Sequence, residues 1–366
     1  VSNPSTTPFF GRAYSLVVTP AQGPSAKTPI TISDDSFDQY ALRITFEINQ
    51  LAFSAFWSAE ITVWNADGNI TAGPSKGVNL YQSVIQEGST VSLSAGYQAN
   101  GFSGVIFEGQ VFYTTQDRVN ATDRRLTFHC LLSRALTTQN FLNATLPATS
   151  TQFTQAQFIA SQSKNPIAFN SDQFKTNVEG AIPQRGSVQL PRGKSFFGNP
   201  HHYLKSLADQ NGLLSWFDGK GWNTDSLQNP AGPLVTTYAP VQTIGQPPSL
   251  VGDLTLSLIG QPQQTQFGVN FRVLLDSRVQ IVAPLPQVGL QTQYIRQASI
   301  SYPLPQGQGP PRPLSENGQY IVIGVRLSGD TRGNEWYSEF TAVTLITDVI
   351  AMLGQNKQAL PMGGNG

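Results

Sequence analysis

Arg192-Gly193-Lys194-Ser195 ends in the Gly-Lys-Ser of a phosphate-binding loop, whose backbone N–H groups and lysine cradle a nucleotide phosphate. That loop needs another glycine five positions before Gly193, where this chain has Val188, and an apolar strand leading in, which is missing. A solvated basic turn is the better reading. Asn65, Asp67 and Asn69 hold the first, third and fifth places of a calcium loop, but Ile70 replaces the glycine at the sixth and Lys76 the glutamate at the twelfth. A lysine there repels the ion, so the cluster reads as a β-turn. His129 and Cys130 have the chemistry of a base and a nucleophile, yet neighbours on a strand point to opposite faces. Cys130, in phase with Leu126 and Phe128, reads as a small core residue, and His201 and His202 lack metal-ligand spacing. A carboxylate pair for glycoside hydrolysis is a matter of space rather than spacing, and Asp34, Asp35, Glu47, Glu60 and Glu108 are its candidates. Glu47 and Glu60 already have a simpler place, on the polar phase of amphipathic strands. No cofactor, metal or catalytic residue follows from these motifs.

The balance of charge narrows the function further. The 366 residues carry 22 Lys+Arg and 22 Asp+Glu, and only 12% are charged, against roughly 25% in an average domain. A dedicated nucleic-acid binder with a basic footprint is therefore excluded. Hydrophobic residues at 39% and aromatics at 10% suffice for packed cores, and no apolar run approaches the ~20 residues that span a bilayer. Thirty-three glycines and 25 prolines favour strands and turns over helices. One cysteine forbids an intramolecular disulfide. Val1-Ser2-Asn3-Pro4 has neither a basic nor an apolar leader region, which points to a cytoplasmic product. The sequons at Asn69, Asn120 and Asn143 are accordingly read as unmodified.

Period-two alternation positions the candidates. Leu42 to Asn49 alternates apolar and polar, as do Ala59, Ile61 and Val63 against Ser58, Glu60 and Thr62. Val91–Tyr97, Val105–Thr114 and Leu126–Leu132 continue a strand series that predicts an antiparallel barrel or sandwich over residues 9–135. Between Ser133 and Pro191 no period stands out, and a small mixed region is expected. Asn199 as cap, Pro200 at the first position, the stripe Tyr203, Leu204, Leu207, Ala208 and the stop at Gly212 predict a helix. Leu213–Phe217 and Trp222–Leu227 then form a hairpin, with Trp216 and Trp222 expected to pack across it. Strand patterns return after the linker-like Gly245-Gln246-Pro247-Pro248, at Leu254–Ile259, Asn270–Leu275 and Val279–Val282. Prolines 303, 305, 310, 311 and 313 predict a polyproline-like loop, and Tyr320–Leu327 with Trp336–Leu345 a last strand pair.

That last pair carries a family pattern. Gly318-Gln319-Tyr320-Ile321-Val322-Ile323-Gly324-Val325, followed by Gly329-Asp330-Thr331-Arg332-Gly333-Asn334-Glu335-Trp336-Tyr337, resembles the C-terminal signature of baseplate central hub proteins from contractile-tailed bacteriophages. Gly245-Gln246-Pro247, then Gly268-Val269-Asn270-Phe271-Arg272-Val273-Leu274-Leu275-Asp276, and the strand pair from Arg43 to Asn69 agree with it in order along most of the chain.

The resemblance implies a mainly β fold with an α+β middle region. Its two tube-like antiparallel β-barrel domains would lie at 1–135 and 245–346, with the proline-rich loop 303–313 in the second, around a middle domain at 136–244 and before a C-terminal tail at 347–366. It implies a pseudo-sixfold trimeric ring that joins the tail tube to the threefold central spike and forms part of the DNA channel, without enzymatic activity. The implied partners are two further copies of the chain, the central spike protein, the tail tube or tube-initiator protein, other baseplate proteins and the tape measure protein. DNA would pass without specific binding, with no stable membrane insertion, in a virion baseplate whose parts are synthesised in the bacterial cytoplasm. Gly329, Asp330, Thr331, Arg332 and Gly333 form its structural turn, and their two glycines and aspartate suggest a tight conformation that orients the last strands. Two other readings compete: a carbohydrate-binding tail adhesin stacking sugars on Trp57, Trp64, Trp216 or Trp222, and a cell-wall glycoside hydrolase.

Overall fold

The computed structural model describes residues 11–21, 29–34, 41–51, 57–65, 70–71, 77–78, 87–97, 104–121, 123–132, 139–169, 171–181, 188–218, 221–226, 234–240, 254–259, 262–265, 268–275, 282–284, 293–295, 297–300 and 319–344. The proline-rich loop 303–313, the tail 347–366, the linker at Gly245–Pro248, Asp35, Asp67 and Asn69 lie outside them. The N-terminal part forms strands β1 (Arg12–Thr19), β2 (Ile30–Asp34), β3 (Ile44–Leu51), β4 (Ser58–Trp64), β5 (Thr90–Tyr97), β6 (Gly104–Arg118) and β7 (Arg124–Leu131). The middle part holds β8 (Leu142–Leu146), α1 (Gln152–Gln162), α2 (Ser171–Ala181), β9 (Lys194–Gly198), α3 (Pro200–Gln210), β10 (Leu213–Asp218) and β11 (Gly221–Ser226). The C-terminal part holds β12 (Leu234–Pro240), β13 (Leu254–Leu258), β14 (Gly268–Leu274), β15 (Gln297–Ile300), β16 (Gln319–Asp330) and β17 (Trp336–Thr344). A mainly β fold with an α+β middle is what forms.

Alternation does its work in β3, where Ile44, Phe46 and Ile48 are buried between half-exposed Thr45, Glu47 and Asn49. It lies antiparallel to β4, which lies antiparallel to β7. The order then runs β7, β6, β5, β1, β2. On the other side β3 pairs with β16, and the path continues through β15, β12, β13 and β14 to the short strand Gln263–Gln264, while β17 pairs with both β14 and β16.

The expectation of two tube-like antiparallel β-barrel domains is corrected here. Both units belong to one fourteen-stranded sheet instead of forming two separate barrels, its path among the described residues running from Gln263–Gln264 to β2. Its strands are not all antiparallel, because β12 runs parallel to β13 and to β15. The cause is the length of β16. Along one edge its residues 319–321 pair with β15 and its residues 324–330 pair with β3, while the register against β17 shifts between Val322 and Gly324. One strand thus hands its edge from one unit to the other, so the two units are parts of one sheet and not two separate barrels.

The core follows the sheet. Phe46, Ile61, Val91 and Phe128 from the first unit share one apolar cluster with Phe271, Val325, Leu327, Trp336 and Phe340 from the last. Each such side chain contributes about 1.5–3 kcal/mol on burial, so no cut between the units leaves either core complete. The middle part has its own core, in which α1 offers Ala156, Ile159 and Ala160, α2 offers Phe174 and Val178, and α3 offers Leu204, Leu207 and Ala208. In α3 the Asn199 side chain accepts from the His201 N–H at 3.2 Å, Pro200 opens the helix, and Gly212 follows it at φ +66°. Trp216 and Trp222 do not pack across their hairpin. Trp216 pairs with Asn223 and Trp222 with Phe217, so the two indoles take opposite faces, Trp216 entering the β core and Trp222 the middle one. β10 thereby joins the two cores.

Candidate functional site

The turn after β16 is positioned by three strands. Gly329 stands in register with Trp336 on β17 and with Phe46 on β3, whose rings meet edge to face at 5.5 Å. A Cβ at Gly329 would lie 2.5 Å from Phe46 Cε1, closer still to Cζ of the same ring, and 2.9 Å from Trp336 Cε3. The glycine is required by this close approach and not by a left-handed backbone. A Cβ at Gly333 would lie 2.7 Å from the Asp330 Cγ, so the absence of a side chain there is what lets the carboxylate tuck beneath the turn.

Asp330 is the centre of the arrangement. Its carboxylate accepts from Arg43 Nη2 at 2.6 Å and Nε at 3.1 Å and from the Arg332 N–H at 3.0 Å, while its own N–H donates to the Glu335 carbonyl at 2.8 Å. Burial by itself raises the pKa of this carboxyl, but the Arg43 guanidinium and the backbone N–H groups of Arg332 and Gly333 outweigh burial and hold it below the usual carboxylate range. Thr331 donates its N–H to the Ile44 carbonyl and accepts the Ile44 N–H on its hydroxyl, each at 3.0 Å. Arg332 reaches the Ala41 carbonyl at 2.8 Å. From β1, Arg12 donates to the carbonyls of Asp330 at 2.6 Å and Gly333 at 2.5 Å, and lies over the Trp336 ring at 5.3 Å. The long-range bonds among these join residues 287 to 321 positions apart in sequence. The turn is a clamp that ties the start of β1 and the entry to β3 onto the last hairpin. With its oxygens engaged by a guanidinium and backbone donors, Asp330 serves as an anchor and not as a base.

Sequence reasoning names this turn but misses Arg12 and Arg43, the two side chains that hold it. Their signal is faint: Arg12 is the first residue of β1 and Arg43 the residue before β3, each a single arginine in a chain with few charges. Arg43 also stacks on Trp64 at 4.7 Å, which occupies a ring offered to the adhesin reading. Trp57, Trp216 and Trp222 are buried, so no tryptophan of that reading presents an open platform.

The structure does bring two of the candidate carboxylates together. Glu47 and Glu60 stand directly opposite each other on the outer face of β3 and β4. They belong to a row that crosses seven neighbouring strands: Tyr113 stacks on His129 at 4.2 Å, and His129 Nδ1 is 3.8 Å from Glu60. Farther along, Arg326 bridges Glu47 at 2.8 Å and Glu339 at 3.4 Å, and Arg272 pairs with Glu339. The hydrogen bond from Arg326 lowers the Glu47 pKa, opposite to what a general acid for glycoside cleavage requires. The row is a cross-strand ion ladder over the seam between the two units.

The remaining motifs sit apart from the clamp. Gly193-Lys194-Ser195 enters a strand, β9, rather than a basic turn or a helix N-terminus. Asn65 takes φ +54° and continues the pairing of β4 with β7: its side-chain amide donates to Asp123, its N–H donates to the Arg124 carbonyl and its side-chain oxygen accepts the Arg124 N–H. His201 is buried, and burial, followed by the charge of His202, pushes its pKa down to about 4. Among the described residues no group of three or more His, Cys, Asp or Glu side chains is placed to hold a metal, and no helix is long and apolar enough to cross a membrane. Cys130 lies in the core at 2% exposure, away from the His129 face, and burial pushes its thiol up to about 12. Alkylation at neutral pH should therefore be slow in the native protein and should rise with global unfolding. Rapid labelling before any loss of sheet signal would contradict that burial.

No family model matches this chain, and no curated protein matches it. Among solved structures, it is similar to the 43 kDa tail protein of prophage MuSo2 from Shewanella oneidensis, at 9% identity over 91% of this chain and 99% of that one, with a TM-score of 0.47. It is similar to a tail protein from Neisseria meningitidis MC58 at 10% identity over 92% and 97% of the two chains, with a TM-score of 0.45. It is also similar to the E. coli c3393 protein, a type VI secretion component with structural similarity to the T4 tail proteins gp27 and gp5, at 14% identity over 84% and 75%, with a TM-score of 0.44.

Proposed function

We propose that this chain is a structural tail protein of a contractile-tailed bacteriophage, a baseplate hub whose three copies join the tail tube to the central spike around the DNA channel. The observation that carries the reading is the Gly329–Gly333 clamp. The residues that spell the hub resemblance are the ones bonded to β1 and β3 from the last hairpin, so they tie the two β units to each other. A part that passes force from tube to spike needs that unity, and none of the residues in the clamp is left to do chemistry. The spike, the tube or tube-initiator protein, other baseplate proteins and the tape measure protein are its neighbours in this reading. A weakly charged chain lets DNA pass without the counterion release that would trap it on a basic wall.

The test is composition and mass. Purified tails are expected to contain the chain, and mild dissociation should release a complex of three 39.6 kDa copies, alone or with the spike. A chain that is absent from tails, or that is present in them only as single copies, overturns the proposal.

A further inference from the structure

Among the described residues, β2 and the far part of β6 each have an edge with no strand beside it. Among the described residues β2 pairs with β1 alone. β6 is fifteen residues long, yet β5 covers it only as far as Gln110, and the contact closes where Val111 exchanges main-chain hydrogen bonds with Gly88 and Ser89. Beyond that point Tyr113–Arg118 pairs with β7 on one side, and every residue of this stretch is exposed.

The direction of its main-chain groups follows from the ladder. The Val119 N–H donates to the Asp123 carbonyl at 3.0 Å, which marks a hydrogen-bonded pair. Such pairs alternate along antiparallel strands. Asp117, Thr115 and Tyr113 therefore turn their N–H and C=O groups to β7, while Arg118, Gln116 and Thr114 turn theirs away from it. A bare row of this kind recruits another strand unless proline, lysine or a bulge blunts it. Neither Thr114–Arg118 nor Ile30–Ser33 contains a proline or a lysine, and threonine and isoleucine favour the extended backbone.

We propose that the outer edge of β2 in one copy pairs with the Thr114, Gln116 and Arg118 edge of β6 in the next copy. The inference rests on the multi-copy reading above and adds the surface that joins the copies. A second copy is the fitting occupant because each chain offers one edge and receives the other. Contacts between two different patches are heterologous, and three of them close a ring, which a self-complementary patch cannot do alone. Main-chain hydrogen bonds supply the attraction and need no matching side chains.

Cysteine pairs and a proline decide it. Thr31→Cys combined with Thr114→Cys, Gln116→Cys or Arg118→Cys in the full chain, oxidised in purified tails, should give disulfide-linked dimers and trimers. Buried Cys130 contributes no background. Gln116→Pro removes an N–H that no described strand of its own chain uses, so melting should stay close to the parent while self-association weakens about tenfold or more. Thr115→Pro, whose N–H faces β7, should lower melting instead. If tails hold the copies together and no pair crosslinks, or if Gln116→Pro associates as the parent does, this pairing is wrong while the hub reading stands. Crosslinked rings from a protein absent from tails would keep the pairing and remove the hub reading.

Discussion

Gly329→Val should destabilise the protein by about 3 kcal/mol or more, with Gly329→Ala close behind. The added Cβ has nowhere to go, because Phe46 Cε1 is 2.5 Å away, Cζ of the same ring closer still, and Trp336 Cε3 2.9 Å away. Both rings belong to the shared core, and Trp336 is 2% exposed, so neither can swing into solvent. Relief has to come from separating β16 from β3 or from β17, which strikes the seam where the two units become one sheet. Chemical denaturation of the full chain measures the cost. Phe46→Leu should return part of the stability of Gly329→Ala, since it removes ring atoms that the new methyl meets. Equal stability of Gly329→Val and the parent would show that the close packing at this glycine is not what holds the seam.

Asp330→Ala is expected to cost about 2–3 kcal/mol, because it removes charge-assisted bonds from Arg43 and leaves the N–H groups of Arg332 and Gly333 without an acceptor. Arg43→Ala should cost less, as this side chain is 41% exposed and its charge has access to water, and the two losses should not add. Acid gives an independent readout. The folded Asp330 pKa lies below its ordinary 3.8, so the stability it supplies is complete above that value and is lost as pH falls through the folded one. The difference in stability between the parent and Asp330→Asn should therefore be constant near neutrality and shrink on acidification. A difference that stays flat into strong acid would show that the carboxylate is not the clamp's anchor.

What the sequence reveals of this fold depends on how local the cause is. The α3 helix is legible because Asn199, Pro200 and Gly212 mark its ends and Leu204, Leu207 and Ala208 its buried stripe. β3 and β4 are legible by alternation alone. The helices α1 and α2 are hidden among Gln, Ser and Thr. In α1 the buried face consists of Gln155, Ala156, Ile159 and Ala160, too polar and too small to stand out from the exposed one, and its cap is an unremarked Thr151. The joining of the units is hidden for another reason. Nothing in the spelling of β16 says that its edge passes from β15 to β3 at Gly324, so a resemblance to paired barrels fills a gap that only pairing in space can fill. The site divides in the same way: its turn is visible as Gly-Asp-Thr-Arg-Gly, while Arg12 and Arg43, hundreds of positions away, become partners only after folding.

The hub proposal is tested most directly by imaging purified tails with this chain marked, for instance by a small domain fused at the exposed turn near Asn120. Three marks around the axis where the tube meets the spike are the predicted result. Marks along the tube or on peripheral fibres, or tails that carry none while the protein is abundant in the lysate, would contradict it.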